Sequence, residues 1–425
     1  MSLAPTPRVP IFRQLNGYQW LVLGVAWLGW VFDIADTALF TFAKVPMLTE
    51  MLGPEKYAQV GAAIEGQIQM TFLVGWAIGG LVFGIAADKY GRTRVLILTI
   101  LLYCLFTGLT ALCQTWEQVT VVRFLTGLGI GGEWAAGAAL VAEVMPDRAR
   151  PFAAALLQTA AAIGPVLAGT ANLALAGQSW KWLFLVGVAP ALLTVVIRSK
   201  VREPERWQSK GVEVRKATET VRELFRQTPW RRHAIVAMIL GVVGIAGAGN
   251  VAFWLPNLVK ESLPNAEKAV VDASVSYATY TLHLGTLLGV FAFPLLCQRI
   301  GRKASFALFF VLSPLATVLA LQGSLDYTKL LWMAPIMAFF AIGLSAGYGL
   351  YFPELFPTRL RATGCGLAYN TARIFYAPIP WLTGLVIGAS KGSPSHGVAL
   401  AAMVYIVGIL ALPFAPETKG KPLPD

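Results

Sequence analysis

The sequence predicts an all-α membrane protein with twelve transmembrane helices in two pseudo-symmetric bundles of six. The first observation is composition: of 425 residues, 56% are hydrophobic and 13% are charged, whereas soluble domains carry about 25% charged residues. The second is a series of apolar runs of the length, about 20 residues, that crosses a bilayer as a helix. The third is an internal repeat, which divides the chain into two related halves.

Two pairs of loops carry the repeat. The sequences EVMPDRAR at 143–150 and ELFPTRLR at 354–361 share Glu, Pro and two Arg at equal spacing and lie 211 residues apart. The sequence GIAADKYGRTR at 84–94 has a partial copy, PLLCQRIGRKA, at 294–304, an offset of 210 residues. Two pairs at nearly the same offset indicate that one ancestral unit was duplicated.

The 34 Lys and Arg residues indicate how the chain lies in the membrane. With the helices assigned below, 25 of them fall on one side, seven on the other and two within helices. This asymmetry follows the positive-inside rule, so both termini are expected in the cytoplasm. Since topology accounts for the formal net charge of +12, nucleic acid is not an expected partner.

Apolar runs separated by polar turns define the expected organisation. The predicted domains are a cytosolic tail (1–16), an N-terminal six-helix bundle (17–198), a cytoplasmic linker (199–232), a C-terminal six-helix bundle (233–415) and a cytosolic tail (416–425). The predicted membrane spans, numbered 1 to 12 in chain order, are about 17–42, 66–87, 95–113, 118–144, 152–175, 180–197, 233–258, 273–297, 304–321, 330–352, 363–388 and 397–413.

Small residues and turns account for parts of the chain that carry no obvious chemistry. The four glycines between 75 and 84 let another helix approach span 2 closely, and Gly164–Pro165 favours a bend in span 5. In the linker, Val221, Leu224 and Phe225 stand at helical spacing among charged residues, which predicts a helix lying on the membrane surface. The four cysteines show no metal-site spacing and are expected as free thiols.

The loop between spans 2 and 3 carries the clearest family signal. Its sequence, from Gly84 to Arg94, resembles the pattern G-x-x-x-D-x-x-G-R-x-R between the second and third helices of the major facilitator superfamily of secondary transporters. PETKG at 416–420 resembles the ending of sugar porters and related metabolite symporters, and VREPERW at 201–207 is similar to a segment of the same group. The resemblance implies the major facilitator fold, with substrate bound between the halves. For the loop alone, a positive-inside turn in an unrelated membrane protein is the alternative.

Span 1 contains two acidic residues, Asp33 and Asp36. Charges inside a bilayer cost roughly 2.5 kcal/mol or more each, so they are expected to face the protein interior, a cavity or a partner. The string FDIAD at 32–36 resembles the F-D-G-x-D segment of aromatic-acid and sialate proton symporters, with Ile34 in place of Gly. A role in proton coupling is therefore expected. The alternative for Asp36 is that it lies high enough to meet extracellular water.

Span 4 adds Arg123 and Glu133. At 1.5 Å per residue, Arg123 and Asp33 come to nearly the same depth, roughly 8 Å below the outer surface, so they are expected to pair. Glu133 lies deeper and on another side of the helix, where it should meet a different neighbour; GGEW at 131–134 resembles organic-acid and metabolite symporters. A buried carboxylate whose partner changes can bind and release a proton, so these three residues are expected to act in coupling with Asp36. A static ion pair at Arg123 is the alternative.

Span 11 places Arg373 at the middle of the membrane. A guanidinium at that depth requires an anion, and spans 7 to 12 contain no acidic residue at the same height. A substrate carboxylate, held by two parallel hydrogen bonds, is expected to supply the charge. Several organic-anion members of the superfamily show an Arg in this helix. The alternative is that Arg373 pairs with Asp33 or Glu133 across the two halves and acts as a gate.

Four further residues are expected to shape the substrate site. Tyr369 and Asn370 precede Arg373 in span 11, and Tyr280 and His283 lie in span 8, with His283 near the midplane. Histidine titrates near neutral pH and can bind an anion or relay a proton. A neutral His283 that is hydrogen-bonded between helices is the alternative.

The family resemblance also implies a charge network that locks the cytoplasmic side while the outer side is open. The expected members of this cytoplasmic gate lie in the repeated loops: Asp88, Arg92, Arg94, Glu143, Glu354 and Arg359. Glu417, in the PETKG ending, is expected to lie near Glu354 and the loop arginines.

Together these features predict proton-coupled symport of a small organic carboxylate (a monocarboxylate, an aromatic acid or sialate) by alternating access. The expected partners are that organic anion and the lipid bilayer, with the proton as coupling ion and no cofactor, for a monomer in a bacterial inner membrane. No nucleophile motif or metal-ligand spacing indicates an enzyme. The alternatives are a sugar or polyol porter, favoured by PETKG, an exporter of organic cations, and a membrane sensor or enzyme on the same scaffold.

Overall fold

A computed structural model describes residues 15–146, 149, 153, 156, 157, 159–201, 217–323, 325–390, 393–421 and 424. These residues form helices joined by short turns, with no strand among them. Within this part of the chain, nine helices are long and apolar enough to cross a membrane by length and composition, and shorter apolar helices lie at Ala160–Ala174 and Lys181–Thr194. With the long helix Trp116–Val144 they complete the predicted set, so the twelve-span fold is confirmed.

The bounds of the spans follow the predicted order. The first half contains Gly17–Leu52, Pro54–Tyr90, Arg92–Thr110, Trp116–Val144, Ala160–Ala174, and Lys181–Val186 with Ala191–Lys200. A short helix, Ala217–Arg226, precedes the second half, where a surface helix was predicted. The second half contains Thr228–Ser262, Lys268–Ile300, Arg302–Leu321, Tyr327–Ala341 with Ser345–Glu354, Thr358–Tyr376 with Pro378–Ala389, and Pro394–Ala401 with Val404–Ala411 and Leu412–Phe414. We call the membrane side that holds both described chain ends the inner side, and the opposite side the outer side.

Gly91 and Gly301 mark equivalent inner-side turns in the two halves. Their φ angles are 107° and 95°, a region in which residues with a side chain are strained. In both halves the next residue is an arginine that begins the following helix. A tight reversal is therefore present at Gly91, and its copy is present at Gly301.

Helices at the outer side are longer than predicted. Span 1 ends at Leu52 rather than near Phe42, and span 2 begins at Pro54 rather than near Gly66. The two helices are joined at Gly53, whose φ angle is 79°. The prediction ended both spans close to charged residues, whereas a helix continues beyond the hydrocarbon core wherever its charged side chains find partners.

The two halves contact each other through two helix pairs that are equivalent to each other under the internal repeat. Span 2 packs on span 11 and span 5 on span 8, while span 1 also contacts span 7. Gly66, in the outer part of span 2, lies against the backbone of Pro380 and Trp381, and a Cβ there would overlap it. Gly384 of span 11 lies equally close to the backbone of Ala62. The outer ends of the halves are therefore closed against each other.

Candidate functional site

Asp36 and Arg123 form a buried ion pair between spans 1 and 4. The Arg123 Nη1 atom lies 2.7 Å from Asp36 Oδ2, and the two side chains are 0% and 2% exposed. The Thr107 hydroxyl donates a hydrogen bond to the other carboxylate oxygen, Oδ1, at 2.5 Å. The rings of Phe40 and Phe72 lie 4.8 and 4.4 Å from the guanidinium carbon. Such shielding from water strengthens the attraction between the two charges.

The predicted partner of Arg123 was wrong. The sequence paired Arg123 with Asp33, whereas the structure pairs it with Asp36, about one helical turn nearer the outer side. The alternative in which Asp36 meets external water is also wrong, because Asp36 is 2% exposed. A depth estimate that counts residues from an assumed helix end does not resolve one turn.

Asp33 and Glu133 form a second acidic site in the same half. Both carboxyl groups are buried, and both line a cavity of about 20 Å³ between spans 1, 3, 4 and 5. This volume suits about one water molecule. Neither Asp33 oxygen has a hydrogen-bond donor among the described residues, but the two carboxyl groups are close enough that a proton on either would join them by a hydrogen bond. Gly29 leaves room for Glu133, since a Cβ there would overlap its carboxyl group.

Arg373 lies where the two halves meet. Its guanidinium carbon is 4.8 Å from the ring centre of Trp76, in span 2, and 5.2 Å from that of Tyr369, one turn earlier in span 11. Arg373 and Asp33 are also close enough to attract each other electrostatically. The structure therefore places Arg373 against Tyr369 and Trp76, and the pairing with Asp33 or Glu133 across the halves stays an alternative.

The other predicted substrate residues have surroundings of their own in the structure. Tyr280 places its hydroxyl 3.1 Å from the Thr170 hydroxyl, so it hydrogen-bonds across the closed interface between spans 8 and 5. His283 is buried, and its Nδ1 atom has no hydrogen-bond partner in the described part of the chain. Asn370 is exposed.

Lys44 and Glu65 form a buried ion pair that the sequence analysis did not predict. Lys44 Nζ lies 3.0 Å from Glu65 Oε2, and both side chains are 0% exposed. The Tyr57 hydroxyl donates to Glu65 Oε1 at 2.5 Å, and Asn257 Nδ2 donates to Glu65 Oε2 at 2.9 Å. Because Asn257 belongs to span 7, this pair binds the first half to the second.

Two aromatic rings of span 7 cover the ammonium group of Lys44. The Nζ atom lies 3.4 Å from the ring centre of Phe253 and 4.3 Å from that of Trp254. A cation–π contact removed from water contributes up to about 2 kcal/mol. We call the residues around this ion pair the outer cluster: Lys44, Tyr57, Glu65, Phe253, Trp254 and Asn257.

The outer cluster was missed because of the predicted helix ends. The prediction ended span 1 before Lys44 and began span 2 after Glu65, so Lys44 was counted among the seven cations outside the membrane. The available signal was a pair of opposite charges on consecutive helices, each flanked by apolar residues. Burying one such charge without a partner costs several kcal/mol. Each of the two charges therefore indicated that the other lay close to it.

Further hydrogen bonds join the halves on the outer side. Asn172 of span 5 donates through Nδ2 to the Asp272 carbonyl at 2.8 Å and to the Ser276 hydroxyl at 2.9 Å. The Gly177 amide donates to the Asp272 carboxylate at 3.0 Å. The contact between spans 5 and 8 is therefore polar, while the contact between spans 2 and 11 is a close backbone approach.

Glu354, a predicted member of the cytoplasmic gate, binds Arg302 within the second half. Arg302 donates to the two Glu354 oxygens at 2.7 and 3.0 Å. Glu417 accepts the backbone N–H groups of Arg302 and Lys303, at 3.0 Å each, and so lies near Glu354 as predicted. Burial would raise the pKa of Glu417, but these and neighbouring amide donors lower it below its ordinary value. The ending of the chain is thereby fixed to the inner side of the second half.

The rest of the predicted cytoplasmic gate stays a prediction. Arg92 is half-buried and Arg94 is exposed at the turn between spans 2 and 3. The side chains of Asp88, Glu143 and Arg359 lie outside the described residues. A charge lock between the halves on the inner side is therefore neither confirmed nor contradicted.

Comparison with known proteins identifies the family. The profile of the Major Facilitator Superfamily matches residues 25–380. The chain is 32% identical to a probable 4-methylmuconolactone transporter of Cupriavidus pinatubonensis, over 92% of this chain and 89% of that protein. It is 28% identical to the cis,cis-muconate transport protein of Acinetobacter baylyi, over 96% and 97% of the two chains. It is also 28% identical to a sialic acid transporter of Escherichia coli, over 94% of each.

A solved structure supports the same assignment of the fold. The crystal structure of a D-xylose-proton symporter matches 96% of this chain and 100% of its own, with a TM-score of 0.77 at 19% sequence identity. The family and these relatives are transporters, which confirms the prediction that the chain is not an enzyme. The protein is an integral membrane protein that belongs to the Major Facilitator Superfamily of transporters.

Proposed function

We propose that the protein carries a small organic carboxylate together with protons, by alternating access across a bacterial inner membrane with both termini in the cytoplasm. The observation that carries this proposal is the position of Arg373, between the halves and within the electrostatic reach of Asp33. Muconate and sialic acid, the compounds named for two relatives, are carboxylic acids. A guanidinium at this place is chemically suited to such a substrate.

The substrate carboxylate is proposed to bind Arg373. A guanidinium binds a carboxylate through two parallel N–H···O bonds in its own plane, and aromatic rings stacked on its faces do not block those bonds. Trp76 and Tyr369 supply such rings from the two halves. Tyr280, His283 and Asn370 are proposed to shape the remainder of the site from spans 8 and 11.

The proton is proposed to bind the Asp33–Glu133 pair. Two ionised carboxylates side by side in a buried place repel each other, which favours a proton shared between them. Without substrate, the positive charge of Arg373 attracts the Asp33 carboxylate. When the substrate carboxylate takes over that charge, Asp33 accepts a proton and hydrogen-bonds to Glu133. Substrate binding and protonation therefore favour each other, while Asp36 keeps the charge of Arg123 balanced.

The outer cluster is proposed to hold the halves together while the site is closed to the outside. Lys44 and Glu65 both belong to the first half, so their ion pair can persist when the halves separate. Opening the outer side would remove the Asn257 hydrogen bond and the aromatic rings of span 7. The predicted cytoplasmic gate would form on the inner side in the opposite state.

Transport in proteoliposomes tests the proposed substrate class. We expect exchange of labelled muconate, benzoate, lactate or sialate, and accumulation of the transported acid when the outside is more acidic than the inside. Labelled glucose is the matched neutral compound and is expected not to be carried. Transport of glucose alone would favour a sugar porter, and acid transport that ignores the pH gradient would contradict proton coupling.

An Asn257→Ala variant is expected to shift the protein toward an outward-open state. A hydrogen bond to a charged group contributes about 1.5–3 kcal/mol, so the ratio of open to closed molecules should rise by about 10- to 100-fold. Glu65 keeps its ion pair with Lys44 and its hydrogen bond from Tyr57, which protects the fold. Spin labels at the exposed outer positions 56 and 265, in a background carrying Cys365→Ser, would report the separation of the halves.

The matched control is Gln322→Ala, which removes an exposed outer amide of the second half. It should leave the distance distribution between the labels unchanged. If Asn257→Ala also leaves it unchanged, the outer cluster does not determine closure.

A further inference from the structure

A groove runs along the membrane-facing surface between spans 7 and 12, at the inner side. Its volume is about 550 Å³. Ile235, Val407, Leu410 and Phe414 form its walls and are 42%, 50%, 66% and 59% exposed. Buried residues of the same two helices, among them Ala411, form its floor. The groove is therefore a lined depression in the protein surface rather than a flat apolar face.

The dimensions of the groove suit part of a lipid molecule. On span 7 its lining extends from residue 228 to residue 239, which is roughly 16 Å along a helix. One leaflet of the hydrocarbon core is about half of 30 Å thick. An acyl chain that enters at the inner end could thus follow the groove through most of its own leaflet.

Two arginines stand at the inner end of this groove. Arg232 donates through Nε to the Phe414 carbonyl at 3.0 Å, and its guanidinium carbon lies 6.0 Å from the centre of the Phe414 ring. These contacts hold Arg232 at the mouth of the groove. Arg231 is exposed beside it, without an ion-pair partner in the described part of the chain. The mouth therefore carries two positive charges above an apolar channel.

We propose that this groove binds one anionic glycerophospholipid, with its phosphate at Arg231 and Arg232 and one acyl chain between spans 7 and 12. Guanidinium groups bind phosphate oxygens bidentately, and basic residues at the membrane surface attract anionic lipids. A zwitterionic lipid offers the same chain and phosphate, but its own cation competes with the arginines. The site is separate from Arg373 and does not depend on which substrate is transported.

Native mass spectrometry of the purified full-length protein tests this site, with phosphatidylglycerol, phosphatidylcholine and glycerol 1-phosphate titrated separately. An arginine beside the bound headgroup contributes about a fivefold gain in affinity, so the double variant Arg231→Gln/Arg232→Gln should bind phosphatidylglycerol about 25-fold more weakly. Ile235→Trp, which fills the groove and keeps both charges, should also weaken binding of the lipid. Because Ile235 is 42% exposed, this variant is expected to fold normally.

The matched control is Lys89→Gln/Arg299→Gln, which removes two exposed inner-side cations outside the groove and should bind phosphatidylglycerol like the unmodified protein. Equal binding of phosphatidylglycerol and phosphatidylcholine would overturn the proposal, as would unchanged binding by the arginine double variant. Glycerol 1-phosphate that binds as tightly as the lipid would show a simple anion site in place of a lipid site.

Discussion

An Arg373→Gln variant is expected to take up the organic acid about 30- to 4,000-fold more slowly than the unmodified protein. Removing one partner of a buried, hydrogen-bonded charge pair costs about 2–5 kcal/mol, and about 1.4 kcal/mol corresponds to a factor of ten. Gln keeps a polar amide at this position but loses the positive charge and the fork of parallel N–H donors. Initial rates of labelled acid uptake, at equal amounts of reconstituted protein, measure the effect.

Two comparisons make the Arg373 result specific. Arg373→Lys keeps the charge but loses the bidentate geometry, so we expect a smaller loss, of about tenfold. Arg299→Gln removes an exposed arginine at the inner end of span 8 and should transport normally. If Arg373→Gln carries the acid at the normal rate, the guanidinium is not the substrate anchor, and the proposal of an anion carrier fails.

An Asp33→Asn variant is expected to lose uphill transport while it keeps exchange of the acid. Asn resembles the protonated carboxyl group in shape and charge, so the variant should stay in the substrate-binding form without a site for the proton. A gradient of one pH unit supplies about 1.4 kcal/mol per proton, which supports about tenfold accumulation of an acid carried with one proton. We expect that accumulation to fall to an inside-to-outside ratio of about one, measured beside counterflow in the same vesicles.

Glu133→Gln should also reduce accumulation of the acid, because it removes the group that shares the proton with Asp33.

Asp326→Asn is the matched control for Asp33→Asn. Asp326 is an exposed outer-side residue, and its side chain accepts a helix-capping hydrogen bond that Asn can also accept. Normal accumulation by Asp33→Asn would place the proton elsewhere. Loss of counterflow in Asp33→Asn would assign Asp33 to substrate binding rather than coupling.

The number and order of the spans followed from the sequence because membrane thickness limits helix length directly. A run of about 20 apolar residues has few other stable forms in lipid, and the duplicated loops divided the runs into two sets of six. The helix ends did not follow, since composition reports where the hydrocarbon core ends and not where the helix does. Span 1 continues ten residues beyond its predicted end at Phe42, and its added part contains Lys44.

The candidate site was predictable as a set of residues but not as a set of pairs. Asp33, Asp36, Arg123, Glu133 and Arg373 stand out because a charge inside an apolar run is costly. Their pairing depends on one helical turn: Asp33 and Asp36 differ by about 4.5 Å in height and about 60° in direction. Errors in helix ends exceed that difference, so only packed helices distinguish the ion pair at Asp36 from the carboxyl pair at Asp33.

In the proposed alternating-access cycle, the backbone contacts at Gly66 and Gly384 fix how closely the outer ends of the two halves can approach each other. Where a glycine meets main chain, no flexible side chain is available to compress or to rotate aside. The outer ends of the two halves should therefore reach the same separation each time they close, whatever the attractions between side chains contribute. The methyl group of a Gly66→Ala variant would overlap the backbone of span 11. This variant should therefore hold the outer ends apart and favour the outward-open state.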